Sequence, residues 1–169
     1  MTVLFGTIEF GMGFFDYLTT TNLSRVGART GSTMGNDPKA DYNTLQKLSA
    51  STSGMPLSNI QFIVIYKATG IGAQPTSACL TASQSGVCNR YVPADFARDV
   101  SQFGCDPTDV DRFWCPTTRK VGAGASSTTG PPDYLGVYIK VIHPTYTSMF
   151  GSSFTYTDAT VIRIEAQTP

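Results

Sequence analysis

The chain has 169 residues, enough for one domain with an appendage. Its 12 basic and 12 acidic residues cancel, so it lacks the basic footprint that nucleic-acid binding needs. At 41% apolar it can build a core, and its 14% charged residues leave a neutral, hydroxyl-rich surface of the kind common in extracellular proteins.

Residues 1–31 read as one long apolar helix. At about 100° per residue, Thr2, Gly6, Glu9, Gly13, Asp16, Thr20, Ser24, Gly27 and Gly31 fall on one narrow face. Leu4, Phe5, Ile8, Phe10, Phe14, Phe15, Tyr17 and Leu18 dominate the remaining surface. The stripe holds no lysine, arginine or glutamine, which a solvated helix face normally carries. Each glycine inside a helix costs about 0.5–1 kcal/mol relative to alanine, and close approach of another backbone offsets that cost where solvation does not. The stripe therefore reads as an assembly seam of Gly6, Glu9, Gly13, Asp16 and Thr20, facing helices of other subunits. Its carboxylates require partners, for which a free α-amine or the Arg25 and Arg29 of a neighbouring subunit are the candidates. Residues 1–24 carry only Glu9 and Asp16 as charges, and at 1.5 Å per residue that length is enough to cross about 30 Å of hydrocarbon. Arg25 and Arg29 suit a helix C-terminus, and Gly31 is placed to close it.

After a loop through Asn36-Asp37-Pro38, residues 39–51 predict a short helix with Tyr42, Leu45 and Leu48 on one face. Ser58 to Lys67 is a β-branched, aromatic strand. Residues 68–133 form an insertion rich in Gly, Pro, Ser and Thr, with a short helix at 94–102 where Phe96 and Val100 share a face. Tyr134 to Ile142 is a second strand that His143-Pro144 stops, and Phe154 to Ile164 is a third. Met149 and Phe150 are expected to tuck inward from the wide turn between them.

The insertion holds all four cysteines, Cys79, Cys88, Cys105 and Cys115. Zinc sites use closer pairs, so this spacing reads as two disulfides and an oxidising compartment. Local pairing, Cys79 with Cys88 and Cys105 with Cys115, is favoured over the two crossed alternatives. Trp114 is expected to pack against the neighbouring disulfide.

Catalytic motifs are missing. The lone histidine, His143, reads as a structural or surface residue, and no phosphate loop or nucleophile motif is present. Asp106, Asp109 and Asp111 are weak calcium candidates by ligand type, but their spacing fits an acidic turn better. The Ser/Thr clusters at 76–85 and 126–129 read as exposed loop or O-glycan sites. No cofactor is called for.

The run Leu4-Phe5-Gly6-Thr7-Ile8-Glu9-Phe10-Gly11 resembles the LFGxIEFG signature of TadE-like pilus assembly proteins of the tight-adherence (Tad) machinery. Asn22, Arg25, Gly27, Ala28 and Arg29 continue the likeness, and Val137 to Pro144 with Phe154 to Glu165 resembles the family's final hairpin. The segments at 114–120 and 130–134 are similar to actinobacterial members. The resemblance implies a pilin-like protein made as a membrane precursor, processed by a prepilin peptidase, and used to build or prime an adhesive pilus.

The expectation is an α+β, pilin-like fold: an apolar helix over 1–31 packed on a small antiparallel sheet within a 32–169 domain, with a disulfide-stapled insertion at 68–133. Function is expected to be non-enzymatic, with copies of the chain or other pilin-like subunits as partners. The chain would be membrane-anchored before assembly and at the cell surface afterwards. The alternative is a membrane-tethered adhesion or binding module whose insertion contacts a ligand.

Overall fold

The computed structural model describes residues 2–122, 131–145 and 151–165. The fold is α+β. Helix α1 (Thr2–Met34) and helix α2 (Ala40–Ala50) pack on one face of a four-stranded antiparallel sheet. Its strands are β1 (Ile60–Ala68), β2 (Cys88–Tyr91), β3 (Tyr134–Pro144) and β4 (Ser153–Arg163), in the order β2-β1-β3-β4. A short helix α3 (Ser77–Thr81) lies between β1 and β2 in sequence.

Helix α1 is longer than expected. Gly31 lies inside it, where a Cβ would meet Leu135 at 3.0 Å. The residue that closes the helix is Gly35, at φ +58, whose N–H donates to the Gly31 carbonyl at 3.1 Å. In α2 the buried face runs through Asp41, Thr44, Leu45 and Leu48, while Tyr42 is half-buried at its margin.

The sheet has two differently used faces. Ile63, Ile65, Val137, Ile139 and Val141 point toward the helices and form the main core with Leu23, Ala28, Leu45 and Leu48. Phe62, Val64, Tyr66 and Ala68 point the other way and pack with Cys79 and Cys88. Such two-sided burial explains why β1 reads as a continuous apolar run rather than an alternating one. Gly136 is dictated by this second face: a Cβ there would lie 2.2 Å from the Tyr66 ring.

Both disulfides form with local pairing, Cys79–Cys88 and Cys105–Cys115. The insertion departs from expectation in three places. It contributes a fourth strand, β2, paired with β1 through Ile63↔Tyr91 to Tyr66↔Cys88. It also carries α3, whose first turn Thr76 caps by accepting from the Cys79 N–H at 3.4 Å. The helix expected at 94–102 is instead two 3-10 turns, Pro93–Ala97 and Val100–Gln102. Asp95 bonds back to the Val92 N–H at 2.7 Å, and Asp99 caps a fresh turn at Ser101 N–H, 2.9 Å away. Phe96 is consequently buried while Val100 is exposed.

His143 and Pro144 do not stop β3 but belong to it, paired with Phe154 and Ser153. Pro144 is the last residue of the strand, where a missing donor is tolerated. The placements expected for Met149, Phe150 and the 126–129 cluster lie outside the described residues.

Candidate functional site

The stripe on α1 packs against the chain's own sheet. Glu9, Gly13, Asp16, Thr20, Ser24, Gly27 and Gly31 are all buried, and Gly6 is half-buried. A Cβ on Gly13 would meet the Tyr156 hydroxyl at 2.7 Å, and one on Gly27 would meet Val137 at 3.0 Å and Leu48 at 3.2 Å. Small residues let the helix axis sink toward β3 and β4, as they would toward another helix. The expectation that the stripe faces other subunits is corrected at Gly13, Asp16, Ser24, Gly27 and Gly31, whose neighbours come from the same chain, from β3 and β4 with Leu48, Thr44 and Asn59 besides.

The carboxylate partner is also internal. Asp16 Oδ2 lies 2.8 Å from His143 Nδ1 and accepts from Asn59 Nδ2 at 3.1 Å. Arg25 and Arg29, the expected charge partners, are exposed on α1 instead. Thr20 donates to the Asp16 carbonyl at 2.7 Å, and Ser24 bonds the Asp158 carboxylate and, at 2.9 Å, Thr160 Oγ1. Tyr156 sits close by. Burial, with the Asp16 charge second, holds its phenol above the ordinary value of 10.0.

Because the polar stripe is turned inward, the opposite face of the helix is left bare. Leu4, Ile8, Phe10, Phe14, Phe15, Tyr17 and Leu18 are each 46–71% exposed. Two grooves flank this ridge. One, of about 570 Å³, lies between Ile8, Met12 and Phe15 and the loop at Gly54–Pro56, with Asp16, Asn59 and His143 along its floor. The other, of about 310 Å³, is aromatic, between Phe10, Phe14 and Tyr17 on the helix and Phe154 and Tyr156 on β4. Among the described residues, no helix is long and apolar enough to cross a membrane. The small and acidic residues of the stripe dilute the helix's hydropathy, so the span expected over residues 1–24 is not what α1 provides.

A second polar cluster ties the insertion to α2. The Asp41 carboxylate accepts from Arg119 Nη2 at 2.7 Å, Tyr91 Oη at 2.7 Å and Asn89 Nδ2 at 2.9 Å, and both ions of the pair are 0% exposed. The Arg119 guanidinium lies 4.3 Å over the Trp114 ring. Trp114 thus meets a cation. Burial, reinforced by Asp41, pushes the Tyr91 hydroxyl well above its ordinary range. This cluster is legible only in retrospect. Asp41 shares the i, i+3, i+4, i+7 face of Thr44, Leu45 and Leu48, so periodicity marks it as buried, but nothing local points to Arg119.

Two of the three aspartates of the acidic turn, Asp109 and Asp111, accept from backbone N–H groups through their carboxylates. Asp111 accepts from the N–H groups of Gly104 and Cys105 at 3.1 Å each, and Asp109 from the Asp106 N–H at 3.0 Å. Among the described residues no group of three or more His, Cys, Asp or Glu is placed to hold a metal ion. No family model, curated protein or solved structure matches this chain.

Proposed function

We propose that this chain is a pilin-like structural subunit, or a minor subunit that primes a Tad-type surface filament, and that it assembles through the exposed face of α1. The observation that carries this reading is the bare apolar ridge of residues 4–18 beside a stripe already buried within the chain. Contiguous apolar patches above a few hundred Å² mark interaction surfaces on soluble domains. Seven half-exposed large side chains amount to on the order of 600 Å² per copy, so two copies reach the size of a specific interface. The ridge has no charged side chain between Leu4 and Leu18 that is exposed, so its occupant is apolar, and a second copy of the same helix supplies that chemistry. The resemblance of residues 4–11 to the TadE-like signature supports the same conclusion.

The test is incorporation into filaments. Phe10→Asp and Phe14→Asp change exposed positions and leave the buried stripe intact. Sheared surface filaments, labelled with an antibody to residues 68–133, should carry the parent chain and lose both variants. Regular label along fibres identifies the repeating subunit, and label at tips a priming one. Undiminished incorporation of both variants would refute assembly through this face, and absence of the parent chain from any fibre would favour the tethered binding module.

A further inference from the structure

The two disulfides occupy opposite environments. Cys79 and Cys88 are 0% exposed, set in the apolar cluster behind the sheet. Cys105 and Cys115 are half-buried at the surface. Cys105 also takes φ +76, a left-handed conformation unfavourable to a residue with a Cβ, directly after Gly104 at φ +138. Across the second bridge, Thr117 Oγ1 lies 2.9 Å from Cys115 Sγ and 3.9 Å from Cys105 Sγ, so its hydroxyl donates toward the sulfur of Cys115.

We propose that Cys105–Cys115 is a reducible clasp, opened by a dithiol without unfolding the domain, whereas Cys79–Cys88 is structural. A dithiol thiolate attacks Cys105 Sγ, forming a mixed disulfide and breaking the Cys105–Cys115 bond. The electron pair departs on Cys115 Sγ, where the Thr117 hydroxyl stabilises the thiolate before it takes a proton from water. The second thiol of the same reductant then closes on its own sulfur and frees Cys105. The protein gains two electrons and two protons, and the dithiol becomes a cyclic disulfide.

Both ends of the clasp are held by hydrogen bonds that do not pass through the sulfurs. The Asp111 carboxylate grips the Gly104 and Cys105 N–H groups, so the Cys105 side stays in place after the bond is cut. The Cys115 side is held as well: the neighbouring Trp114 N–H donates to Asn89 Oδ1 at 2.8 Å, and the Trp114 carbonyl accepts from Asn89 Nδ2 at 2.9 Å. Reduction therefore frees two thiols while the Trp114–Arg119 contact, which ties the insertion to Asp41 in α2, stays in place.

The experiment is a dithiothreitol titration of the intact chain at pH 8 without denaturant, followed by alkylation and mass mapping, with emission recorded from Trp114, the single tryptophan. The expected result is alkylation of Cys105 and Cys115 at reductant concentrations at least about tenfold below those that open Cys79–Cys88, with unchanged Trp114 emission and unchanged far-UV dichroism. Thr117→Val should slow this reduction. The paired variant Cys105→Ser, Cys115→Ser should fold with Cys79–Cys88 intact and show the parent's Trp114 emission. Simultaneous opening of both bridges, earlier opening of Cys79–Cys88, a shift of Trp114 emission on reduction, or failure of the paired variant to fold would each overturn the proposal.

Discussion

His143 Nδ1 lies 2.8 Å from the Asp16 carboxylate across 127 residues of sequence, and both side chains are about 6% exposed. The contact pins the bare half of α1 to the end of the β3–β4 hairpin. His143→Ala takes this partner from the buried Asp16 carboxylate, which also accepts from Asn59, and it should lower stability by about 2–4 kcal/mol. Asp16→Asn keeps the hydrogen-bonding capacity and should cost less. Urea midpoints of the two variants and their double mutant measure the coupling. A loss below about 0.5 kcal/mol for His143→Ala would mean that the pair does not hold the junction.

The Arg119–Asp41 pair should be the most sensitive point in the insertion. Arg119→Met removes one of three donors to a carboxylate that has no access to water, for an expected loss of about 3–5 kcal/mol. Adding Asp41→Leu should restore part of that loss, because it removes the stranded charge. Thermal melts of the single and double variants distinguish this from simple loss of packing, in which the effects would add.

Close approach makes specific demands at glycine. Gly27→Ala brings a methyl group to 3.0 Å from Val137, and moderate destabilisation of about 1–3 kcal/mol is expected as side chains shift. Gly136→Ala should be worse, since the new carbon would sit 2.2 Å from the Tyr66 ring, whose hydroxyl is itself tied to the Ala73 carbonyl at 2.6 Å. Gly11→Ala meets nothing within 4 Å and should stabilise the helix slightly. Chemical denaturation of the three variants should reproduce that order.

Asp111 gives stability a defined pH slope. Burial, with Asp41 adding to it and the backbone N–H bonds opposing it, raises its carboxyl above the ordinary 3.8. In the window from 3.8 up to that raised value the folded chain binds more protons than the unfolded one. The neutral acid's contribution is therefore complete below 3.8 and is lost as pH rises through the folded value. Asp111→Asn should flatten this slope while keeping an acceptor for Gly104 and Cys105. Urea midpoints measured from pH 3 upward for both chains provide the check, and equal slopes would remove Asp111 as the cause.

Long elements with one strong period are legible in this sequence, and short ones fixed by distant partners are not. α1 and α2 announce themselves through a helical period, β1 and β3 through β-branched and aromatic runs, and β4 through its alternation. β2 is four residues with Asn89 and Arg90 at its centre, and it becomes a strand because β1 offers a free edge beside Cys88. The stripe on α1 shows the limit most plainly. Glycines at 13, 27 and 31 announce close approach, but a helix and a sheet make the same demand on spacing, and only the fold assigns the neighbour. The Asp16 partner was missed for a related reason, since His143 reads as a strand terminator until the ladder to Phe154 is seen.

The distance in sequence between α1 and its support has a consequence for the order of events in folding. Ser24 meets Thr160 across 136 residues, and Asp16 meets His143 across 127. Both disulfides, in contrast, close loops of sequence separation 9 and 10 and can form early. A ribosome at about 5–20 residues per second would expose the helix for several seconds before the hairpin that shelters it had been made. During that interval both the ridge and the stripe are uncovered, so the nascent chain is most prone to aggregate before residues 134–163 have been synthesised. A chaperone or an apolar surface that holds α1 over that interval would act on yield rather than on the stability of the finished fold.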